Sequence, residues 1–170
     1  DTTFLRRAHL DTIGTLPTVA EVQAFLADKN PDKRNRVVAR LLDRREYAFY
    51  WAMKWADVLR VDNAQLKPQV TVAITRWLRR QMAENVPFDR FAREIVTVRG
   101  NTRSETPAAI YTVLKSPGEL ARSISQLFLG VRIECARCHH HPFEKWAQKD
   151  YFALAGFFTG VKRDGRTGGG

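Results

Sequence analysis

The residues able to do chemistry crowd into one stretch, Cys135-Ala136-Arg137-Cys138-His139-His140-His141-Pro142. It holds both cysteines and three of the four histidines of the 170-residue chain. Two thiols three residues apart can add to the two neighbouring vinyl groups of a porphyrin and form thioethers. A histidine directly after the second thiol is then carried beneath the ring, where an imidazole nitrogen can bind iron. Cys135, Cys138 and His139 therefore read as a candidate attachment site for covalent haem c.

Other chemistries use the same atoms. Thiolate and imidazole also suit zinc or iron, so Cys135, Cys138, His139 and His141 are a candidate metal set. Pro142 restricts the backbone of His141 to extended conformations, from which its ring could turn back toward the cysteines. A redox dithiol or disulfide needs the same pair, although such pairs usually follow a strand in a βαβ unit. An ordinary loop with two free thiols is the plainest alternative. Haem used in electron transfer usually takes a second axial ligand. Met53, Met82 and His9 are candidates, and each is equally explained as a core residue. Elsewhere no carboxylate pair, Ser/His/Asp arrangement or phosphate loop stands out.

Composition narrows the class. The chain is 44% hydrophobic and 11% aromatic, which suits a folded domain. No run of about 18 apolar residues offers a membrane span. The formal charge of +10 favours acidic partners, among them haem propionates. Arg132, Arg137 and Lys145 are candidates to meet them. The basic residues are spread along the chain without a nucleic-acid-binding signature, which argues against nucleic acid. The densest run, Lys33, Arg34, Arg36, Arg40, Arg44 and Arg45, reads as the solvated face of a helix. The chain begins without Met and ends in Gly168-Gly169-Gly170. It reads as a piece of a longer protein, with residues 1–162 as one helical domain and 163–170 as a Gly-rich linker or tail.

The elements that must position the stretch are all helical. Phe4, Leu5 and Ala8 mark a first helix that Gly14 stops. Thr18 to Glu21 has capping-box form, and Asn30-Pro31 reads as an N-cap with Pro at the first helical position. Residues 46–61 carry an aromatic-rich face with Tyr47, Trp51 and Trp55. After a loop at 62–68, Ile74, Trp77 and Leu78 mark another helix, broken at Asn85-Val86-Pro87. Phe88, Phe91 and Ile95 line a shorter one. Residues 100–106 read as an exposed loop, followed by a cap at Thr106-Pro107. Ser116-Pro117-Gly118-Glu119 is a strong helix start, with Leu120, Ile124, Leu127, Phe128 and Val131 behind it as one stripe that Gly130 closes. Tyr151, Leu154, Ala155 and Phe158 describe a last helix. The aromatics Trp146, Tyr151, Phe152, Phe157 and Phe158 would serve equally as haem neighbours or as core. The expected fold is all-α, an irregular multi-helix domain with the Cys/His stretch in a loop between the last two long helices.

Taken together, Leu5-Arg6-Arg7, Asp11, Gly14, Leu16-Pro17-Thr18, Trp51, Trp55, Asp57 and Arg60 begin a longer pattern. Pro87-Phe88-Asp89, Phe91, Phe128-Leu129-Gly130, the Cys-x-x-Cys-His-x-His-Pro-Phe segment, Asp150-Tyr151 and Phe157-Phe158 complete it. The chain resembles the planctomycete cytochrome-type domain family over nearly its whole length. The resemblance implies a domain of large exported bacterial proteins, periplasmic or on the cell surface. It further implies a neighbouring cytochrome domain or another redox partner in the same polypeptide. His139 and His141 match the paired histidines of the family, whereas His9 and His140 depart from its pattern. Two functions are expected in parallel: a cytochrome c-like electron-transfer domain, or a non-catalytic interaction module held by a structural Cys/His metal site.

Overall fold

The computed structural model describes residues 1–61, 66–100 and 106–161, and these are helical with no strand among them. The all-α expectation holds. Most of the expected loops at 62–68 and 100–106, and the Gly-rich tail, lie outside the described residues. The chain divides into two compact units, Asp1–Phe91 and one from Ala92 onward.

The first unit contains α1 (Thr2–Ile13), α2 (Val19–Ala27), α3 (Lys33–Leu42), α4 (Arg45–Val58) and α5 (Pro68–Ala83). Gly14 ends α1 in the left-handed conformation, φ 71°, and its amide reaches back to the Leu10 carbonyl. A side chain there would also collide with the Tyr50 ring, 2.3 Å from an ideal Cβ. Thr18 caps α2 as a full capping box, its hydroxyl accepting from Glu21 N–H while the Glu21 carboxylate accepts from Thr18 N–H. The Asn30-Pro31 start is displaced. The Asn30 side chain accepts from Asp32 N–H in a turn, and α3 begins at Lys33.

Leu5, Ile13, Phe25, Val37 and Leu41 form one buried cluster across α1, α2 and α3. The aromatic face of α4 meets α5, and Phe91 stacks on Trp77 at 5.5 Å and meets Trp55 edge-on at 4.8 Å. The basic run is only partly a solvated face. Lys33 and Arg34 both pair with Asp1 at 2.9 Å, and Arg44 bridges Glu21 and Glu46 at 2.8 Å.

The chain passes from one unit to the other within α6 (Phe88–Val96). In the second unit a 3₁₀ turn (Thr106–Ala109) leads into α7 (Ile110–Val113), and the Tyr111 hydroxyl donates to the Ile95 and Val96 carbonyls at 2.9 and 3.1 Å. Ser116 opens α8 (Pro117–Ile124) with the expected capping box. The stripe behind it does not run straight to Gly130. At Ser125 the helix widens into a π turn (Ser125–Leu129), and the buried Ser125 hydroxyl donates to the Val131 carbonyl at 2.8 Å. The wider turn rotates the later residues, which leaves Leu127 and Phe128 half-buried. Gly130 closes the turn with φ 67°. A 3₁₀ helix (Ile133–Arg137) and α9 (Gln148–Gly156) follow, both packed against α8. No helix among the described residues is long and apolar enough to cross a membrane.

Candidate functional site

The cysteines lie on the 3₁₀ helix Ile133–Arg137, with Cys138 as its C-cap. A 3₁₀ helix has three residues per turn, so positions three apart share a side. Ile133 and Ala136 point inward and are buried with Tyr151. Glu134 and Arg137 share a second side, 3.6 Å apart. Cys135 and Cys138 share the third. Both thiols are free, Cys135 half-buried and Cys138 exposed. The spacing of the motif and the period of this helix thus place two thiols on one edge above a rigid apolar base. The Gln148 side chain donates to the Arg137 carbonyl at 3.0 Å and ties that edge to the start of α9.

The histidines after Cys138 are held in different ways. His139 is exposed, and its Nδ1 lies 2.6 Å from the His140 carbonyl. A carbonyl only accepts, so Nδ1 carries the proton, and in the neutral ring Nε2 keeps a free lone pair. His141 takes the opposite tautomer. Phe143 N–H donates to its Nδ1 at 3.3 Å, which leaves the proton of the neutral ring on Nε2. The His141 backbone N–H donates to the Trp146 carbonyl at 2.8 Å and closes a small loop over residues 141–146. His139 therefore presents a lone pair, while His141 uses its own to shape the loop. His140 is exposed beside them.

Among the described residues, no three His, Cys, Asp or Glu side chains come together as a metal site. Cys135, Cys138, His139 and His141 are neighbours in the chain without converging on one point. His9, Met53 and Met82 belong to the other unit. His9 is buried, donating from Nδ1 to the Leu5 carbonyl at 3.0 Å, and Met53 is exposed. The aromatics after the motif divide. Tyr151 and Phe158 are core and Trp146 packs against it, whereas Phe152 and Phe157 face solvent, as does Phe143 at 91% exposure.

Beside the cysteine edge, on the Glu134/Arg137 side, lies an open cleft of about 530 Å³. Ser116 to Glu119 and Arg122 of α8 form one wall, and Tyr151, Phe152, Ala155 and Gly156 of α9 form the other. Burial, with the Glu134 carboxylate adding to it, holds the Tyr151 phenol above its ordinary range, while Arg137 and Arg122 pull the other way. Sequence reasoning singled out Arg137 but missed the cleft. The available signal was Gly118 at the second position of a helix whose other start signals are strong.

Searches of curated proteins and of solved structures found no match. The sequence profile of the family described as "PSCyt2: Protein of unknown function (DUF1549)" matches residues 1–163, across both units. The chain belongs to that family.

Proposed function

We propose that the second unit is a cytochrome c-like domain in which Cys135 and Cys138 would hold one covalent haem and His139 would bind its iron. The haem would supply reversible one-electron chemistry at its iron. The observation that carries the proposal is the state of His139, whose Nδ1–H is engaged by the His140 carbonyl so that Nε2 is left as a free lone pair. Such a backbone contact fixes both the tautomer and the ring orientation of a ligating histidine. The free thiols on one edge of the 3₁₀ helix fit thioether formation, which needs no converging donor set. The exposed Phe143, Phe152 and Phe157 offer apolar surface that a macrocycle could cover.

The residues of the site have separable roles. Ile133 and Ala136 anchor the turn, the cysteines hold the ring, His139 supplies a nitrogen, and His141 braces the loop that follows. The natural partner is a second redox centre outside the cytoplasm, in a neighbouring cytochrome domain of the same polypeptide. The distinguishing experiment compares His139→Ala with His141→Ala after maturation in a bacterial periplasm with cytochrome c maturation proteins. A changed haem spectrum in His139→Ala, with His141→Ala spectrally unchanged, is the expected result. The reverse pattern, or bound zinc or iron in place of haem, would favour a structural Cys/His metal site.

A further inference from the structure

A buried ring nitrogen in the first unit lacks a hydrogen-bond partner. His9 of α1 is 3% exposed, and its Nδ1 donates to the Leu5 carbonyl at 3.0 Å. The proton of the neutral ring is therefore on Nδ1, and Nε2 is an acceptor. Nε2 makes no hydrogen bond among the described residues. Glu21 Oε1 of α2 lies 3.7 Å away, beyond hydrogen-bond reach. Glu21 is an acceptor as well. The Thr18 backbone N–H holds its carboxyl below the ordinary range, and Oε1 already accepts from Arg44 Nη1 at 2.8 Å. Two acceptors thus face each other without a proton between them. Buried acceptors are normally satisfied, so this corner of the fold is short of one donor.

Space for that donor lies beside them. His9 and Glu21 line a cavity of about 420 Å³ bounded by α1, α2 and α3. Leu5, Val37 and Leu41 give it a buried apolar lining, and the small, exposed Ala20 and Ala24 leave its α2 side open. An apolar lining with one polar corner is the usual make-up of a small-molecule pocket. A hydroxyl entering the cavity supplies the missing proton to Nε2 at about 2.8 Å. Charge narrows the choice. Arg40 and Arg44 against the single Glu21 disfavour a cation, and two acceptors at the polar corner offer a carboxylate nothing to bind.

We infer that this cavity binds a small neutral molecule with an apolar body and a hydroxyl, a phenol or an alcohol, whose hydroxyl donates to His9 Nε2. The body lies against Leu5, Val37 and Leu41. Arg44, shared with Glu46, holds Glu21 Oε1 at 2.8 Å and so keeps it from closing on the imidazole. The ligand, and not Glu21, then completes the hydrogen bonding of the ring. Every residue involved belongs to the first unit, so the inference stands apart from the haem proposal.

The test uses phenol as probe and toluene as the same shape without the donor. Both are titrated into the full chain and followed by the ¹⁵N signal of His9 Nε2 and the amide shifts of Ala20 and Ala24. In the free chain at neutral pH, Nε2 should give the signal of an unprotonated nitrogen. Phenol should move that signal and bind roughly tenfold or more tightly than toluene. Benzoate and benzylamine should bind more weakly than phenol. His9→Phe keeps a buried ring without the acceptor and should bring phenol down to the affinity of toluene. Ala24→Leu should weaken both by narrowing the opening, and thermal unfolding reports whether each variant still folds. A protonated Nε2 in the free chain would overturn the inference, because Glu21 is then its partner. Equal affinity for phenol and toluene, or no phenol binding, would overturn it too and leave water as the occupant. If His9→Phe does not fold, the nitrogen signal and the phenol-to-toluene ratio in the unaltered chain decide alone.

Discussion

The two units of this chain differ in where they keep their polar and coordinating groups. In the first unit the basic run is paired, with Lys33 and Arg34 at Asp1 and Arg44 shared by Glu21 and Glu46, and His9 Nε2 is buried without a hydrogen bond. The second unit keeps its two free thiols, Cys135 partly and Cys138 more openly, and His139 at its surface. Both share the same local devices, a capping box and a left-handed glycine each. The difference lies in what faces solvent. Two thiols and an imidazole lone pair gathered on one exposed stretch are coordinating capacity that the packing of the second unit does not use.

That contrast can be broken by substitution. The largest effect is expected in the aromatic packing of the first unit. Phe91 is almost fully buried between Trp55 and Trp77, so Phe91→Ala should cost about 3–5 kcal/mol in urea unfolding. A cost below about 1 kcal/mol would mean that this packing is not what holds the unit.

The paired glycines give a sharper comparison. Both are left-handed, but only Gly14 faces a neighbour, the Tyr50 ring, while nothing lies within 4 Å of a Cβ on Gly130. Gly14→Ala should cost about 2–4 kcal/mol, backbone strain plus collision, and Gly130→Ala about 1 kcal/mol from strain alone. Equal losses in thermal unfolding would contradict the assignment of the Tyr50 contact.

Next in size is an alkaline limb belonging to the second unit. Burial pushes the Tyr111 phenol up to about 12 from an ordinary 10.0, and its hydroxyl donates hydrogen bonds to the Ile95 and Val96 carbonyls. A raised acid favours its neutral form in the folded state. Its contribution, about 2 kcal/mol once partial exposure to solvent is allowed for, is present below pH 10 and is lost as pH rises toward about 12. Tyr111→Phe should flatten this limb; an unchanged alkaline profile would assign it elsewhere.

The smallest effect is an acid limb belonging to the first unit. The Thr18 backbone N–H, with its hydroxyl and Arg44 adding, holds the Glu21 carboxyl below its usual range against the opposing effect of burial. Arg44 holds Glu46 at about 2 rather than 4.5. Lowered carboxyls contribute stability above their unfolded value and lose it as pH falls through the folded one, here from 4.5 toward about 2. Arg44→Met should shrink the loss of stability over that span, read from unfolding midpoints at stepped pH.

What could be read from the sequence was local chemistry. The caps at Thr18 and Ser116 and the stops at Gly14 and Gly130 depend on a few adjacent residues, so their spacing carries the information. The stripe behind Leu120 misled because a π turn at Ser125 shifts the helical period, and nothing in the apolar pattern announces an inserted residue. Asn30-Pro31 misled because an Asx turn and an N-cap use the same residue types. At the site, the Cys-x-x-Cys-His spacing was legible and the cleft was not. Gly118, Arg122, Glu134 and Tyr151 lie on three separate elements, and only packing of the 3₁₀ helix against α8 and α9 gathers them. The division of labour between His139 and His141 was equally hidden, since it rests on two loop hydrogen bonds.

The most direct test of the central claim is the mass of the denatured chain after periplasmic maturation. Covalent haem predicts a mass increase of one haem that survives denaturation and disappears in the Cys135→Ala, Cys138→Ala double variant. Colourless protein of unmodified mass, matured beside a control cytochrome that does acquire haem, would contradict it.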